Sequence, residues 1–394
     1  MKKSKILYIG FMLVALILIG CSERENPADF PKINEREGLK NDGVFTYPRA
    51  YSVIENHAGW EFFNFTESKN FISKIYTPPS FRIQSTPYPI LYLLHDFEGD
   101  ENYYFTKMVH RIADSLIYEE EIKEFYIASI DASTPYGGTW YANNEFFGWF
   151  ESMVAEQWLD FIEVTLADQL RIIDNRESRG IGGFGMGGYG ALKIAAKYPG
   201  VFSSVSASNP AGSFQHVEDL IPMMLEEQGL STPISPDDYQ DMDTTNLFTE
   251  KPYTLLFFSL AQAFSPHPEE GEPGYEDSTT FVTFYGIDLP FDYNGNIYQP
   301  VFDKWIANGL NDVLTQNAGD FDSIEVYIEV SDTNQFLFHN MAEDVRMMLD
   351  NNGINYSFDS YSGYRGYPAF NQRFVYDRLV EILKFHSRYL EEDM

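Results

Sequence analysis

Arg179-Gly180-Ile181-Gly182-Gly183-Phe184-Gly185-Met186-Gly187-Gly188-Tyr189-Gly190-Ala191-Leu192 is the stretch that decides how the chain is read. Gly183, Gly185 and Gly187 keep the spacing of a G-x-S-x-G elbow, a sharp strand-to-helix turn that lifts a nucleophile into reach of substrate. Glycine stands where the serine would be. The backbone at that position is strained for any residue with a Cβ, so Gly185 removes the hydroxyl and relieves the strain together. Gly183, Gly185 and Gly188 also satisfy G-x-G-x-x-G, the dinucleotide fingerprint. That pattern requires an acidic residue about 20 positions on. Residues 201–208, Val-Phe-Ser-Ser-Val-Ser-Ala-Ser, contain none.

Further strings extend the reading. Tyr88-Pro89-Ile90-Leu91-Tyr92-Leu93-Leu94-His95 resembles the strand entering the oxyanion loop in the esterase family of α/β hydrolases that includes S-formylglutathione hydrolases and feruloyl-type esterases. Tyr198-Pro199, Val201-Phe202, Ala263-Phe264-Ser265-Pro266 and Asp288-Leu289-Pro290-Phe291 are similar to later landmarks of that family. The resemblance runs from about Phe71 to the C-terminus. It implies an α/β-hydrolase fold with a mainly parallel sheet flanked by helices.

It also implies where a catalytic triad would lie. The family's acid follows D-x-G-x-x-D-E-F-L, and the matching 329–337 segment puts Asn334 at that position, with Gln335 beside it. The family's histidine lies in Y-x-G-x-H, which matches Tyr361-Ser362-Gly363-Tyr364-Arg365 and places Arg365 there. A guanidinium does not act as a base near neutral pH. The oxyanion loop, normally His-Gly, reads His95-Asp96, and with Met186 after the elbow it forms the expected oxyanion region. A carboxylate at Asp96 is expected to oppose oxyanion stabilisation. Losing one triad member already costs about a million-fold in turnover, so three vestigial positions, Gly185, Asn334 and Arg365, imply a catalytically inactive pseudo-hydrolase.

The alternative is a working ester hydrolase or acyl transferase on envelope or carbohydrate esters, with a displaced nucleophile such as Ser206 or Ser208. That would require a displaced base as well.

Charge and composition narrow the partners. A formal charge of −32 argues against nucleic acid and against direct adhesion to anionic headgroups. The 44% apolar content over 394 residues suffices for one large core, and 33 Phe with 27 Tyr would serve that core or a ligand-stacking surface. Membrane attachment then needs an anchor. Met1-Lys2-Lys3-Ser4-Lys5, the apolar run 6–19 and Leu18-Ile19-Gly20-Cys21 resemble the leader and lipobox of a bacterial lipoprotein. Cys21 is the chain's one cysteine, which excludes intramolecular disulfides and suits it as the lipid acceptor. Residues 1–20 are therefore expected as signal peptide and 21–43 as lipidated cysteine and tether. Residues 44–394 form the esterase-like domain. Ser22 after the cysteine points to an outer-membrane or surface location in the cell envelope.

Within the domain, 71–77, 90–94 and 125–130 read as strands. Val154, Trp158, Phe161, Ile162 and Leu166 fall at helical spacing, as do Phe338, Met341, Val345, Met348 and Leu349. Residues 212–300 break the rhythm with prolines, acids and aromatics and read as a cap-like insertion able to cover a site. No histidine pair has zinc-ligand spacing, and Asp292-Tyr293-Asn294-Gly295-Asn296 lacks the spacing of a calcium loop, so neither metal nor cofactor is expected. His95 is expected at a strand end facing the crevice. The ligand is left open as a small molecule, a glycan or a protein.

Overall fold

The computed structural model describes residues 56–60, 69–82, 84–168, 170–235, 238, 242–268, 281–284, 286–332, 334–362 and 372–392. The leader, Cys21, the tether and Arg365 lie outside the described residues. Eight strands form one sheet: β1 (Asn56–Trp60), β2 (Lys69–Tyr76), β3 (Ile90–Leu94), β4 (Tyr126–Ile130), β5 (Arg179–Phe184), β6 (Ser204–Ser208), β7 (Glu325–Ser331) and β8 (Ser357–Tyr361). Their spatial order is β1-β2-β4-β3-β5-β6-β7-β8. β2 runs antiparallel to β1 and to β4, and every later pairing is parallel. This is the mainly parallel sheet that the strand runs and the resemblance led us to expect.

Burial on both faces explains the continuous apolar runs. In β3, Ile90, Tyr92 and Leu94 join one core, while Leu91 and Leu93 join the other. The second core is completed by α1 (Val109–Tyr118), through Val109, Ile112 and Ala113, and by Leu379, Ile382 and Leu383 near the C-terminus. On the first side lie α2 (Met186–Lys197), buried from Met186 to Ala196, α3 (Pro252–Phe264) and α4 (Phe338–Asn351). The C-terminal helix is α5 (Gln372–Tyr389). The segment expected to be helical around 154–166 forms wide π-type turns over Met153–Trp158 and Phe161–Thr165. Val154, Trp158 and Ile162 are still buried on its inner face.

The insertion contributes to the main core. α3 lies within residues 212–300, begins with a proline in its first turn, and is buried from Thr254 through Phe264. Its Phe264 packs at 6.2 Å from the Trp140 ring and 5.0 Å from Phe214. Among the described residues no helix is long and apolar enough to cross a membrane.

Candidate functional site

The parallel strands deliver their C-terminal ends to one crevice of about 520 Å³. Asp96 follows β3, Gly185 follows β5, Ser208 ends β6, Asn334 follows β7 and Tyr361 ends β8, and all five line it. Clefts beyond the carboxyl ends of parallel strands are the usual ligand sites of such sheets.

The elbow is geometrically intact. Gly185 has φ 51° and ψ −112°, between the end of β5 and the start of α2. Its N–H donates to Ser208 O at 2.9 Å, and its carbonyl accepts from Tyr189 N at 3.0 Å. The turn is tight because α2 presses on β3: a Cβ on Gly187 would overlap Leu94 O and lie 2.6 Å from Leu94 C. Gly185 thus holds a backbone conformation that residues with a Cβ rarely adopt.

Asp96 fills the space in front of that turn. Its Oδ1 accepts from Met186 N and from Phe97 N, each at 2.9 Å. These are the backbone donors, one after the elbow and one in the loop after β3, that would hold an oxyanion. The carboxylate expected to oppose an oxyanion is seated on these donors itself. A Cβ added to Gly185 would overlap Oδ1 and lie 2.6 Å from both Cγ and Oδ2. Asp96 is only 6% exposed. Burial pushes its pKa up to about 7, against the two N–H bonds and the charge of Lys107, which hold it down.

His95 does not face the crevice, contrary to expectation. It is fully buried, its Nε2 accepting from Ala132 N at 2.9 Å, which assigns the proton to Nδ1 for donation to Asp96 O at 2.8 Å. It fixes the loop that carries Asp96. Asn334 is buried, and its Oδ1 accepts from Phe336 N at 2.8 Å, closing its own turn at the crevice wall. Arg365 lies outside the described residues, so no geometry is assigned to it.

Other crevice groups carry no sequence motif. Glu98, on the loop after Asp96, is pushed up to about 7 by desolvation and then by the Asp96 charge. Lys107 is lowered to about 8 by burial, with Asp96 and Asp100 opposing the shift. Its Nζ sits 3.4 Å from the centroid of the Tyr103 ring. Across the crevice, Arg378 of α5 donates to Glu329 Oε1 at 3.2 Å and Asp359 Oδ2 at 2.7 Å, and lies 4.8 Å from the Tyr361 ring centroid. Glu329 is fully buried, and burial raises it to about 7 although Arg378 and the Tyr327 hydroxyl hold it down. None of the described residues 212–300 lines the crevice.

The serines of β6 divide into two roles. Ser204 and Ser206 bind the two ring nitrogens of His386 on α5 at 2.8 and 2.9 Å, and all three residues are fully buried. Burial lowers the His386 pKa to about 3, so the ring is neutral at working pH. This pair joins helix to sheet away from the crevice. Ser208 lines the crevice, and its Oγ and Glu329 Oε2 on the neighbouring strand are buried without a hydrogen bond of standard geometry, although the Ser208 hydroxyl lies close enough to help hold the Glu329 carboxyl down. Among the described residues no group of three or more His, Cys, Asp or Glu is placed to hold a metal ion.

Comparison with known proteins follows the same lines. The family model described as "Putative esterase" matches residues 69–379. Two curated relatives from Mycobacterium tuberculosis, Esterase MT1326 of strain CDC 1551 / Oshkosh and Esterase Rv1288 of strain ATCC 25618 / H37Rv, are each 34% identical over 140 residues. That match covers 34% of this chain and 28% of each relative, so less than a third of their own length. Among solved structures, a ferulic acid esterase aligns with a TM-score of 0.54 at 16% identity, covering 86% of this chain and 100% of its own. An S-formylglutathione hydrolase from Agrobacterium tumefaciens aligns at a TM-score of 0.49 and 15% identity, covering 87% of this chain and 98% of its own.

Proposed function

From the premise that the chain belongs to the Putative esterase family, we propose that it is a catalytically silent member, held at the bacterial cell envelope by a lipid on Cys21, that binds a ligand in its crevice. The observation that carries this reading is the seat of Asp96 on Met186 N and Phe97 N. A serine esterase needs a hydroxyl at the elbow and two free donors for the carbonyl oxygen as it becomes anionic. Here the elbow offers no hydroxyl, and an internal carboxylate already occupies the donors. An acyl carbonyl entering the crevice would meet negative charge in place of N–H groups, which raises the barrier to attack. Asn334 offers no carboxylate to orient a base, and its amide oxygen is engaged with Phe336 N.

The test is covalent labelling with a fluorophosphonate and turnover of p-nitrophenyl acetate by the purified chain. We expect no labelled serine and no turnover beyond that of free imidazole. A second reading rests on one observation, the unpartnered Ser208 hydroxyl in the crevice wall beside the unpartnered Glu329 Oε2. There Ser208 would attack with Glu329 as base, and the label would be found on Ser208 by mass spectrometry. That result would overturn the silent reading.

A further inference from the structure

Asp96 has a second oxygen, and the crevice supplies it with no partner. Oδ1 is taken by Met186 N and Phe97 N. Among the described residues Oδ2 accepts no hydrogen bond, although the side chain is more than nine-tenths buried and lines the crevice. A carboxylate oxygen that lines a cavity without a protein donor is open to a ligand that donates to it.

The surroundings indicate the charge of that ligand. Glu98 and Asp100, on the same loop, also line the crevice. Neither forms an ion pair with a described residue. Lys107 is the cation whose charge is felt at Asp96, yet its Nζ lies on the Tyr103 ring and donates to Tyr103 O at 3.3 Å. Arg378, at the far wall, is already held by Glu329 and Asp359. Among the described residues one side of the crevice therefore carries more carboxylates, Asp96, Glu98 and Asp100, than cations. Rings of Phe97, Tyr103 and Phe336 supply apolar wall next to it.

We propose that the crevice binds an organic cation, a primary or secondary ammonium on a small apolar or aromatic body, with the ammonium donating to Asp96 Oδ2 and with Glu98 and Asp100 beside it. The aromatic wall holds the body of such a ligand, and ring faces attract the cation. A neutral sugar could also donate a hydroxyl to Oδ2. It would not draw Asp96 and Glu98, both raised to about 7, into their charged form as a cation does, and this favours the cation. The inference rests on the silent reading, since it requires Asp96 to stay on the two N–H groups with Oδ2 free.

Three probes of similar shape separate the chemistry: 2-phenylethylammonium chloride, 2-phenylethanol and sodium phenylacetate, each titrated into the purified full chain by calorimetry. The ammonium is expected to bind at least about ten-fold more tightly than the alcohol, the scale of a hydrogen bond to a charged group, and phenylacetate is expected not to bind. Asp96→Asn keeps an oxygen for the two backbone donors and removes the charge, so it should weaken the ammonium by about ten-fold or more. Glu98→Gln, on the open loop, should weaken it by a few-fold and serves if Asp96→Asn fails to fold. No heat from the ammonium, equal affinity for ammonium and alcohol, tighter phenylacetate, or unchanged affinity in the folded variants would overturn the proposal. Fluorophosphonate labelling of the same sample distinguishes the two failures: lost cation binding with no labelled serine leaves the silent reading standing.

Discussion

The carboxylate of Asp96 occupies the volume that a side chain on Gly185 would need, with Cγ and Oδ2 each 2.6 Å from the ideal Cβ position. Two residues 89 positions apart share one space: the smaller at the elbow leaves room, and the loop after β3 fills it. Each is tolerable because of the other.

This relationship predicts a coupling. Gly185→Ala adds a Cβ at φ 51° and drives it into Asp96, so it should destabilise the protein by about 2 kcal/mol or more. In an Asp96→Gly background the steric part disappears and only the backbone strain remains. A double-mutant cycle by urea denaturation should therefore give about 1 to 3 kcal/mol of coupling. Additive effects would mean that the loop moves freely and that Asp96 is not held. Gly185→Ser alone should show the same destabilisation and take no fluorophosphonate label.

Burial of Asp96 also sets a pH dependence. Its carboxyl titrates near 7 in the fold against an ordinary value of 3.8. Between those values the folded state holds a proton that the unfolded chain has released, so this group's stabilising contribution is full below about pH 4 and is lost as pH rises through 7. Glu329, also raised to about 7, acts in the same direction. Asp96→Asn should make the unfolding free energy fall less steeply from pH 4 to 7, by up to about 1.4 kcal/mol per pH unit. Parallel pH curves for wild type and variant would contradict the burial of that charge.

The sequence reveals some parts of this arrangement and hides others for physical reasons. β3 is legible because both its faces are buried, so Ile90 to Leu94 are apolar without interruption. The elbow is legible because only glycines allow α2 to approach the end of β3 so closely. The seat of Asp96 is not legible. It depends on the loop after β3 folding back onto Met186 N, and a carboxylate in a sequence does not show whether backbone donors meet it. His95 gave a misleading signal for a related reason: a strand-end histidine can face outward or inward, and the N–H of Ala132 draws it inward. Arg378 sits on a helix and Lys107 in the turn before α1, both in ordinary polar positions, and only the fold brings them to the crevice.

The proposed anchor predicts a change of compartment. If Cys21 carries the lipid, Cys21→Ser should move the protein out of the detergent-soluble membrane fraction or leave an uncleaved precursor, and palmitate labelling should vanish. Equal palmitate incorporation in wild type and variant would refute it.

Two positions on β6 separate structural from reactive serine chemistry. His386 bridges Ser204 and Ser206 with both ring nitrogens in a fully buried site, so His386→Ala should cost about 1 to 3 kcal/mol at pH 7.5 from the lost pair of hydrogen bonds. Its folded pKa of about 3 lies below the ordinary 6.5, so its contribution is present above pH 6.5 and is lost as pH falls toward 3, opposite in direction to Asp96. Ser208→Ala behaves differently. The hydroxyl has no hydrogen bond of standard geometry to lose, so replacing it should leave stability unchanged or slightly improved. Crevice ligand affinity should hold as well. A loss of 1 kcal/mol or more from Ser208→Ala would show that its hydroxyl is bonded in solution, most directly to Glu329 Oε2, and would give the displaced-nucleophile reading its base.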